Sequence, residues 1–327
     1  MDLEIKEALL DKEKEAVRSF LSTLNLGFDD DIEHTFYISD GNKIVGTISH
    51  SSYVIKCLGV DEEYQGYNLA SKLVLAIIIH LKKEGIYSYF AFTSIKNKNI
   101  FLSLGFSLIA QTDNVCLFEG GITNIDTVLN SIKEEYKINT FNNGAVIING
   151  NPITNGHLYL INEACKYHDK VLLFVVETDL SEYSFKERFM MIKQATKDLD
   201  KVIVIPSTKY IISRATFPTY FIKEDSKRSL EYASLDVLIF KSYFMRILNI
   251  YKRYIGEETH PMMVMYNNIL KETLKNNLVV VKRKKYLSEV ISASKFRKLV
   301  NENNLDEALK LVPIVNHQYL INKHRKN

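Results

Sequence analysis

Gly150-Asn151-Pro152-Ile153-Thr154-Asn155-Gly156-His157 stands between an apolar run, Ala145 to Asn149, and an amphipathic stretch, His157 to Tyr167. The apolar run predicts a buried strand, and the amphipathic stretch predicts a helix. The quoted residues therefore form a strand-to-helix turn. Open α/β sheets bind ligands at such turns, beyond the carboxyl ends of their strands. The turn thus predicts both a parallel sheet and the position of its ligand site.

The same alternation of strand and helix continues after this turn. Apolar runs predict strands at Val171 to Glu177 and Lys201 to Pro206, and Lys186 to Lys197 between them predicts a helix. Strands that alternate with helices at this spacing indicate a parallel, doubly wound sheet. We therefore predict a Rossmann-like α/β domain over residues 141–327.

The residues before Gly120-Gly121 follow a different pattern. A helix is predicted from Lys6 to Leu24, followed by strands joined by short turns, which indicates an α+β domain around one mainly antiparallel sheet. We place this domain at residues 1–140. Its predicted strands are Phe36–Ser39, Lys43–Ser49, Tyr53–Val60, Tyr87–Thr93 and Val115–Glu119, and its further helices are Ser71–Lys83 and Asn97–Leu104.

The composition is that of a globular protein large enough for two cores, with 327 residues, 46% hydrophobic and 25% charged. A net charge of +3, dispersed along the chain, argues against a nucleic-acid partner. Lys282 to Lys285, the densest basic run, is interpreted as a solvated stretch beside a strand. The scattered Cys57, Cys116 and Cys165 argue against a disulfide framework and a structural zinc site, and no metal ligands are assigned.

The termini and apolar stretches indicate a cytoplasmic protein without a membrane partner. Met1 to Lys14 is charged and lacks the apolar segment of a signal peptide. Leu73 to Leu81, the most apolar helical stretch, is too short to span a bilayer.

The turn after the first strand of the α/β domain has the chemistry of a triphosphate site. A helix N-terminus offers free N–H groups and a partial positive charge. Gly156 allows close approach of the backbone, Thr154 can donate a hydroxyl hydrogen and His157 an imidazole N–H. Such groups can catalyse adenylyl transfer by positioning and charge stabilisation, without a protein nucleophile.

A second polar motif, Ile291 to Arg297, precedes another predicted helix. The first motif resembles the T-x-G-H form of the "HIGH" signature of the nucleotidyltransferase superfamily, and the second resembles its I-S-x-S-x-x-R signature. Phe185 to Met190 resembles the superfamily's ERxxM segment, although an exposed helix start would read similarly. The resemblance implies nucleotide binding by Asn149, Gly150, Asn151, Gly156, Ser292 and Ser294, with His157, Thr154 and Arg297 as catalytic residues.

A third block, Tyr210 to Lys223, resembles a stretch of the citrate lyase ligases, as does the N-x-N-P-x-T-x-G-H sequence from Asn149 to His157. The resemblance extends from about Val45 to Tyr319. It implies that Arg214 pairs with an anionic substrate group or the α-phosphate, with a structural ion pair as the alternative. It also implies that Arg253 to Glu257, which includes Gly256, forms a loop near the adenine and ribose of the nucleotide.

The N-terminal domain resembles GNAT acetyltransferases. Val60 to Ala70 is similar to their pyrophosphate-binding loop, and Phe101 to Phe106 is similar to their late "LGF" segment. Asn68 replaces the middle glycine of that loop, and asparagine tolerates unusual backbone angles. The resemblance implies that Gln65, Gly66, Asn68 and Ala70 bind a pantetheine arm.

Together these resemblances imply an AMP-forming ligase that uses ATP and Mg²⁺. It would convert acetate to acetyl-adenylate and acetylate the prosthetic-group thiol of the citrate lyase acyl-carrier subunit. Three alternatives remain open. They are an adenylyltransferase of a phosphorylated metabolite, an acetyl-CoA-dependent acetyltransferase with a regulatory nucleotide domain, and a non-catalytic nucleotide sensor.

Overall fold

The computed structural model describes residues 3–177, 181–211, 225–287 and 289–324. The chain forms two compact units, one from Met1–Val128 with Thr216–Leu235 and the other from Leu129–Ala215 with Asp236–Asn327. The domain boundary near residue 140 stays a prediction. No helix in the described ranges is long and apolar enough to cross a membrane.

The first unit is built on a mixed sheet. Its strands lie in the order β1-β2-β3-β4-β5-β7-β6, and all neighbours are antiparallel except β4 and β5. The predicted, mainly antiparallel sheet is confirmed. The elements in chain order are β1 (Ile5–Glu7), α1 (Asp11–Thr23), β2 (His34–Asp40), β3 (Lys43–Ser51), β4 (Val54–Val60), α2 (Leu69–Lys83), β5 (Ser88–Ser94), α3 (Lys98–Ser103), β6 (Ser107–Gln111) and β7 (Val115–Gly121).

Helix α2 supplies much of the core of this unit. Leu69, Leu73, Ile77 and Leu81 recur every four residues and are buried against apolar side chains of the sheet. Burying each such side chain stabilises the fold by about 1.5–3 kcal/mol. This spacing fixes the face that α2 turns to the sheet.

The predicted start of the first helix, at Lys6, is wrong. Residues Ile5–Glu7 form β1 and pair antiparallel with β2, so that Ile5 lies opposite Ile38. Leu9 and Leu10, which the periodicity placed on the apolar face, are 71% and 53% exposed. Backbone pairing with the sheet therefore overrides the local helical pattern, and α1 begins at Asp11. Strand β6 was not predicted.

The second part of the chain contains a parallel sheet in the order β10-β9-β8-β11-β12. The elements are α4 (Ile125–Glu135), β8 (Asn143–Ile148), α5 (Asn155–Cys165), β9 (Lys170–Val175), α6 (Phe185–Thr196), β10 (Val202–Pro206), α7 (Asp225–Ile239), a π-helical turn (Phe240–Phe244), α8 (Met245–Ile247), β11 (Ile250–Gly256), α9 (Pro261–Leu274), β12 (Leu278–Val281), β13 (Lys285–Tyr286), β14 (Glu289–Val290), α10 (Ala293–Asn301), α11 (Leu305–Leu309) and α12 (His317–His324). The predicted Rossmann-like sheet is confirmed.

The strand order places the loop after β8 beside the loop after β11. The chain runs outward from β8 to β9 and β10, and then returns to the other side of β8 for β11 and β12. The order therefore reverses between β8 and β11, which is where an open α/β sheet has its ligand crevice. The 150–157 turn leaves β8 at this edge.

Candidate active site

A cleft of about 690 Å³ lies at this edge of the parallel sheet. Ligand pockets for drug-sized molecules have volumes of about 300–1,000 Å³. The loops after β8 and β11 and the residues around the start of α10 form its walls. The structure brings these predicted site residues to the cleft: Asn149, Gly150, Asn151, Thr154, Gly156, His157, Gly256, Ser292, Ser294 and Arg297.

Thr154 and His157 form a reciprocal cap at the start of α5. The Thr154 side chain accepts a hydrogen bond from the His157 backbone N–H, and the Thr154 backbone N–H donates to His157 Nδ1 at 3.0 Å. A backbone amide can only donate, so Nδ1 is the unprotonated ring nitrogen. In the neutral ring Nε2 therefore carries the hydrogen, and His157 borders the cleft as an N–H donor.

His157 is also held in its neutral form. Burial, reinforced by the positive charge of Arg283, lowers the pKa of His157 to about 4. A neutral imidazole cannot act as a strong general acid near pH 7. In the cleft the ring can therefore act as a hydrogen-bond donor with a fixed tautomer.

Two glycines of the first motif lie where a side chain would be strained or tightly packed. Gly150 has φ +61°, and a Cβ on it would lie 2.7 Å from the Ile192 side chain. A Cβ on Gly156 would lie 3.0 Å from the carbonyl oxygen of Ile291. Gly156, which the sequence predicts to allow close approach of a phosphate, also lets the two motifs touch because it lacks a side chain.

The second motif caps α10 with its polar residues. The Ser292 hydroxyl accepts a hydrogen bond from the Lys295 backbone N–H at 3.1 Å, and the Ser294 hydroxyl accepts one from Arg297 Nη2 at 3.4 Å. A hydroxyl that accepts one bond can still donate another. Arg297 also donates through Nη1 to the backbone oxygen of Asn151, so its guanidinium joins the two motifs.

Three helices begin at the cleft. Thr154, His260 and Ser292 are the N-caps of α5, α9 and α10, and all three line it. Each helix N-terminus contributes unpaired N–H groups and about half a positive charge. Their convergence favours an anion in the cleft before any side-chain charge is added.

The basic run after β12 adds positive charge to the same cleft. Lys282, Arg283 and Lys284 all line it. Lys282 and Lys284 are exposed, as the interpretation of a solvated stretch requires, but they also face the site. Arg283 is paired with the Glu258 carboxylate. A short basic run has no distinctive signature, so the sequence did not indicate that this run adds positive charge to the cleft.

Arg253 is a second residue to which the sequence assigned no role of its own. It lies on β11, lines the cleft and is 4% exposed. Its guanidinium stacks on the Phe240 ring at 4.6 Å and donates through Nη2 to the Tyr266 hydroxyl at 2.9 Å. That hydroxyl donates to Asp236 at 2.5 Å.

The remaining nitrogens of Arg253 are unsatisfied. Within the described residues, neither Nε nor Nη1 has a hydrogen-bond partner. A buried guanidinium with unused donors is costly unless an anion meets it. Arg253 is thus a strong candidate to bind an anionic group in the cleft.

The ERxxM-like segment stabilises the loop that follows β8. Phe185–Thr196 is helix α6, and Arg188 is fully buried. Its side chain donates to the backbone oxygens of Asn149, Val176 and Tyr183 at 2.7–3.0 Å. Arg188 therefore holds the end of β8 and the loop that follows it, although the segment is also the start of α6, where Ser184 and Lys186 are exposed.

Glu187 of the same segment ties α6 to the C-terminal helix. Burial raises its pKa, but hydrogen bonds from Lys323, Tyr319 and Ser184 outweigh that effect and lower the pKa of Glu187 to about 2. The Lys323 and Tyr319 contacts are both 2.5 Å long. Glu187 is therefore ionised at neutral pH and serves packing of the domain.

The asparagine side chains of the first motif bond within the protein. Asn149 donates to the Ser181 hydroxyl at 3.0 Å, and Asn151 Oδ1 accepts from the Tyr183 backbone N–H at 3.1 Å. Gly256 ends β11 and its carbonyl accepts from Asn267. Arg214, the predicted substrate-binding residue, lies outside the described residues.

The GNAT-like loop is found at the start of α2. Gln65, Gly66 and Asn68 are exposed, and Ala70 lies in the first turn of the helix. Asn68 has φ +60° and ψ 24°, a left-handed conformation suited to glycine, and it is the N-cap of α2. Asparagine therefore accommodates the backbone of this loop, as expected from its tolerance of unusual angles.

Comparison with known proteins identifies the family. A family model of the citrate lyase ligase C-terminal domain matches residues 143–320, more than half of the chain. The chain belongs to the citrate lyase ligase family. A model of the GNAT acetyltransferase family matches residues 3–106. As a citrate lyase ligase family member, the chain is an enzyme of the ligase class, with a GNAT-like N-terminal domain and a nucleotidyltransferase-like C-terminal domain.

Full-length relatives support this assignment. A citrate (pro-3S)-lyase ligase from Haemophilus influenzae is 31% identical over 324 residues, which cover 94% of this chain and 95% of that protein. Its counterpart from Escherichia coli is 30% identical and covers 95% of this chain and 91% of that protein. A phosphopantetheine adenylyltransferase from Campylobacter fetus is 38% identical, but over only 20% of this chain and 42% of its own length.

Proposed function

We propose that this chain activates acetate with ATP and transfers the acetyl group to the prosthetic-group thiol of the citrate lyase acyl-carrier subunit. In the first step an acetate oxygen attacks the α-phosphorus of ATP, and the bond to the β-phosphate breaks to release pyrophosphate. In the second step the carrier thiol loses its proton, and its sulfur attacks the acetyl carbonyl carbon. The carbon–oxygen bond to AMP then breaks.

The observation that carries this proposal is the meeting of the two signature motifs. Gly156 allows α5 to start against the Ile291 carbonyl, and Arg297 reaches the Asn151 carbonyl from α10. Two helix N-termini and the hydroxyls of Thr154, Ser292 and Ser294 thereby face one cleft. A bound triphosphate would be stabilised by these groups, and Arg297 would offset the charge of the departing pyrophosphate.

His157 has the properties that the first step requires. Its Nε2–H is a fixed donor, and the ring remains neutral near pH 7. Such a donor stabilises the charge that develops on the phosphate oxygens without exchanging a proton. Mg²⁺ would bind oxygens of the triphosphate and supply further charge neutralisation, and we assign it no protein ligand.

Arg253 is proposed to bind the carboxylate of the acid. Its Nε and Nη1 lack partners among the described residues, and its charge is buried in the wall of the cleft. A carboxylate would satisfy both the charge and the unused donors. Asp236 lies one hydroxyl away through Tyr266, which keeps the guanidinium in place when the acid is absent.

The GNAT-like domain is proposed to receive the pantetheine-like arm of the carrier. Gly66 has φ +90°, Asn68 is left-handed, and the loop precedes the N-terminus of α2. Loops of this shape direct backbone N–H groups toward phosphate oxygens. Gln65, Gly66, Asn68 and Ala70 would then hold the phosphate end of the arm.

The carrier subunit is favoured as the acceptor because of the extent of the similarity. Citrate lyase ligases match 94–96% of this chain, whereas phosphopantetheine adenylyltransferases match at most 20%. The shorter match supports adenylyl chemistry in the cleft. It does not include the GNAT-like domain. Adenylyl transfer to a phosphorylated metabolite alone would leave that domain without a function.

The decisive experiment is exchange of labelled pyrophosphate into ATP by the purified chain with Mg²⁺, with and without acetate. We expect exchange that requires acetate, followed by AMP release and thioester formation when the reduced carrier subunit is added. His317→Gln is the matched control for substitution of His157. It alters a histidine that is bonded to the Val312 carbonyl outside the cleft, and it should catalyse exchange normally.

Three results would point to the other functions. Turnover of a phosphorylated metabolite in place of acetate would identify an adenylyltransferase. Acetyl transfer from acetyl-CoA without ATP would identify an acetyltransferase with a regulatory nucleotide domain. ATP binding without any turnover would identify a sensor.

A further inference from the structure

A cluster of three histidines and one glutamate lies in the GNAT-like unit. His34 is on β2, His50 on β3 and His80 on α2, and Glu84 follows the last residue of α2. One ligand atom from each of the four residues lies within 4.8 Å of all the others. The three imidazole centroids are 4.3–5.3 Å apart.

Hydrogen bonds fix the tautomer of two of these rings. His34 Nδ1 lies 2.7 Å from the Glu7 carboxylate, and His50 Nδ1 lies 3.0 Å from the Ser52 carbonyl oxygen. Both partners can only accept, because Glu7 is a carboxylate when ionised and Ser52 contributes a carbonyl. Each Nδ1 therefore carries the hydrogen, and in the neutral rings the Nε2 lone pairs face the centre of the cluster.

Two of the inward nitrogens lack hydrogen-bond partners in the part of the chain that the structure describes. Within the described ranges, the buried Nε2 atoms of His50 and His80 make no hydrogen bond, although Glu84 oxygens lie 3.6 and 3.3 Å away. A Glu84 oxygen is also 3.3 Å from His34 Nε2. His50 is 0% exposed, so water cannot readily satisfy it.

This arrangement is electrostatically incomplete. Neutral His34 and His50 rings would turn lone pairs toward the Glu84 carboxylate, whereas three imidazolium ions would place like charges about 5 Å apart. A divalent cation at the centre removes both conflicts, because every inward atom becomes a ligand.

We propose that His34, His50, His80 and Glu84 form a binding site for a zinc ion. Zinc takes imidazole nitrogen and carboxylate oxygen in tetrahedral geometry at about 2.0–2.2 Å, so its ligand atoms lie about 3.3 Å apart. Ion binding would draw these ligand atoms, which now lie within 4.8 Å of one another, to this spacing by rotation of their side chains. The His34–Glu7 and His50–Ser52 hydrogen bonds are the outer contacts that orient histidine ligands.

The ion would have a structural role. Four side chains complete a tetrahedral shell and leave no position for a substrate. His80 and Glu84 lie at the C-terminal end of α2, whereas the Gln65–Asn68 loop precedes its N-terminus. The 15 residues of α2 separate the two by about 20 Å. The ion would therefore fasten α2 to β2 and β3, away from the proposed pantetheine loop.

The ion can reach this site from solvent. The side chains of His34, His80 and Glu84 are 34%, 20% and 33% exposed, whereas His50 forms the buried floor. The scattered cysteines argued against a zinc site in the sequence, but a site made of histidines needs no cysteine. The four-residue spacing of His80 and Glu84 was the only local pattern in the sequence that brings two of these four ligands together.

Metal titration of the full chain tests this site. After chelator treatment and dialysis, we expect Co²⁺ to bind at one ion per chain with the intense visible absorption of tetrahedral cobalt, and Zn²⁺ to displace it. Zn²⁺ should raise the melting temperature of the metal-free protein. Glu7→Gln, which alters only an outer contact, should weaken zinc binding by about 10–100-fold.

The more exposed ligands provide the variants, because replacing the buried His50 could unfold the domain. His80→Gln and Glu84→Gln should remove the cobalt absorption and the thermal stabilisation by zinc, whereas His317→Gln should keep both. Failure of the chelator-treated wild type to bind Co²⁺ or Zn²⁺ at micromolar concentration would overturn the proposal. Unchanged binding by both ligand variants would also overturn it. Neither outcome depends on the proposed ligase activity.

Discussion

The sharpest prediction concerns His157, whose ring has one role in stability and another in catalysis. His157→Ala removes the acceptor of the Thr154 backbone N–H and also the Nε2–H donor in the cleft. Loss of the cap should cost about 1 kcal/mol, or about 2–4 °C in the melting temperature of a domain of this size. Loss of one donor to a developing oxyanion should lower the rate of pyrophosphate exchange by about 10²–10³-fold.

His157→Gln separates these two roles. Glutamine at the third position of a helix completes a capping box, because its side-chain oxygen can accept the Thr154 N–H. We therefore expect the melting temperature to recover while the exchange rate stays low. Acetate-dependent exchange and thermal denaturation, measured on the wild type and both variants, check this. Retention of more than a tenth of the exchange rate in His157→Ala would refute the proposed role of the ring.

The lowered pKa of His157 adds a dependence on pH. With a pKa of about 4, His157 is protonated in only about 1% of molecules at pH 6. The exchange rate should therefore show no inflection due to His157 between pH 6 and 8. The unfolded ring takes up its proton near pH 6.5, before the folded ring does. This histidine therefore lowers the stability of the wild type as the pH falls from about 6.5 to 4, and the glutamine variant should lose that part of the acid sensitivity.

The other predictions concern residues around the same chemistry. Gly156→Ala places a Cβ 3.0 Å from the Ile291 oxygen, so it should shift the motifs by a few tenths of an ångström and slow exchange by about tenfold, measured by exchange at saturating acetate and ATP. Arg253→Lys should lower kcat/KM for acetate by about 10–100-fold and leave KM for ATP nearly unchanged. A rise in the KM for ATP alone would show that Arg253 binds the nucleotide. Gln65→Ala and Gly66→Ala should slow acetylation of the carrier but leave exchange intact, and loss of exchange as well would contradict the division of labour between the domains.

Local patterns in the sequence predicted the alternation of strands and helices after residue 144 and the two motifs that line the cleft. Apolar periodicity predicted the parallel sheet, because each strand and helix must bury one face wherever it lies in the chain. The turn from Gly150 to His157 was readable because capping residues, glycines and a helix start lie within eight positions. The departure at Asn68 was equally local, and its left-handed backbone is one that asparagine tolerates.

Tertiary structure alone decided which distant groups meet. Strand β1 forms where a helix was predicted, because β2 offers backbone partners that no local pattern records. Arg253 is a buried cation in the cleft only because the strand order sets β11 beside β8. The His34, His50 and His80 rings converge through the pairing of β2 with β3 and the packing of α2. Sequence encodes faces and turns through neighbouring residues, whereas these contacts depend on strand order and register, which are set by the free energy of the whole fold.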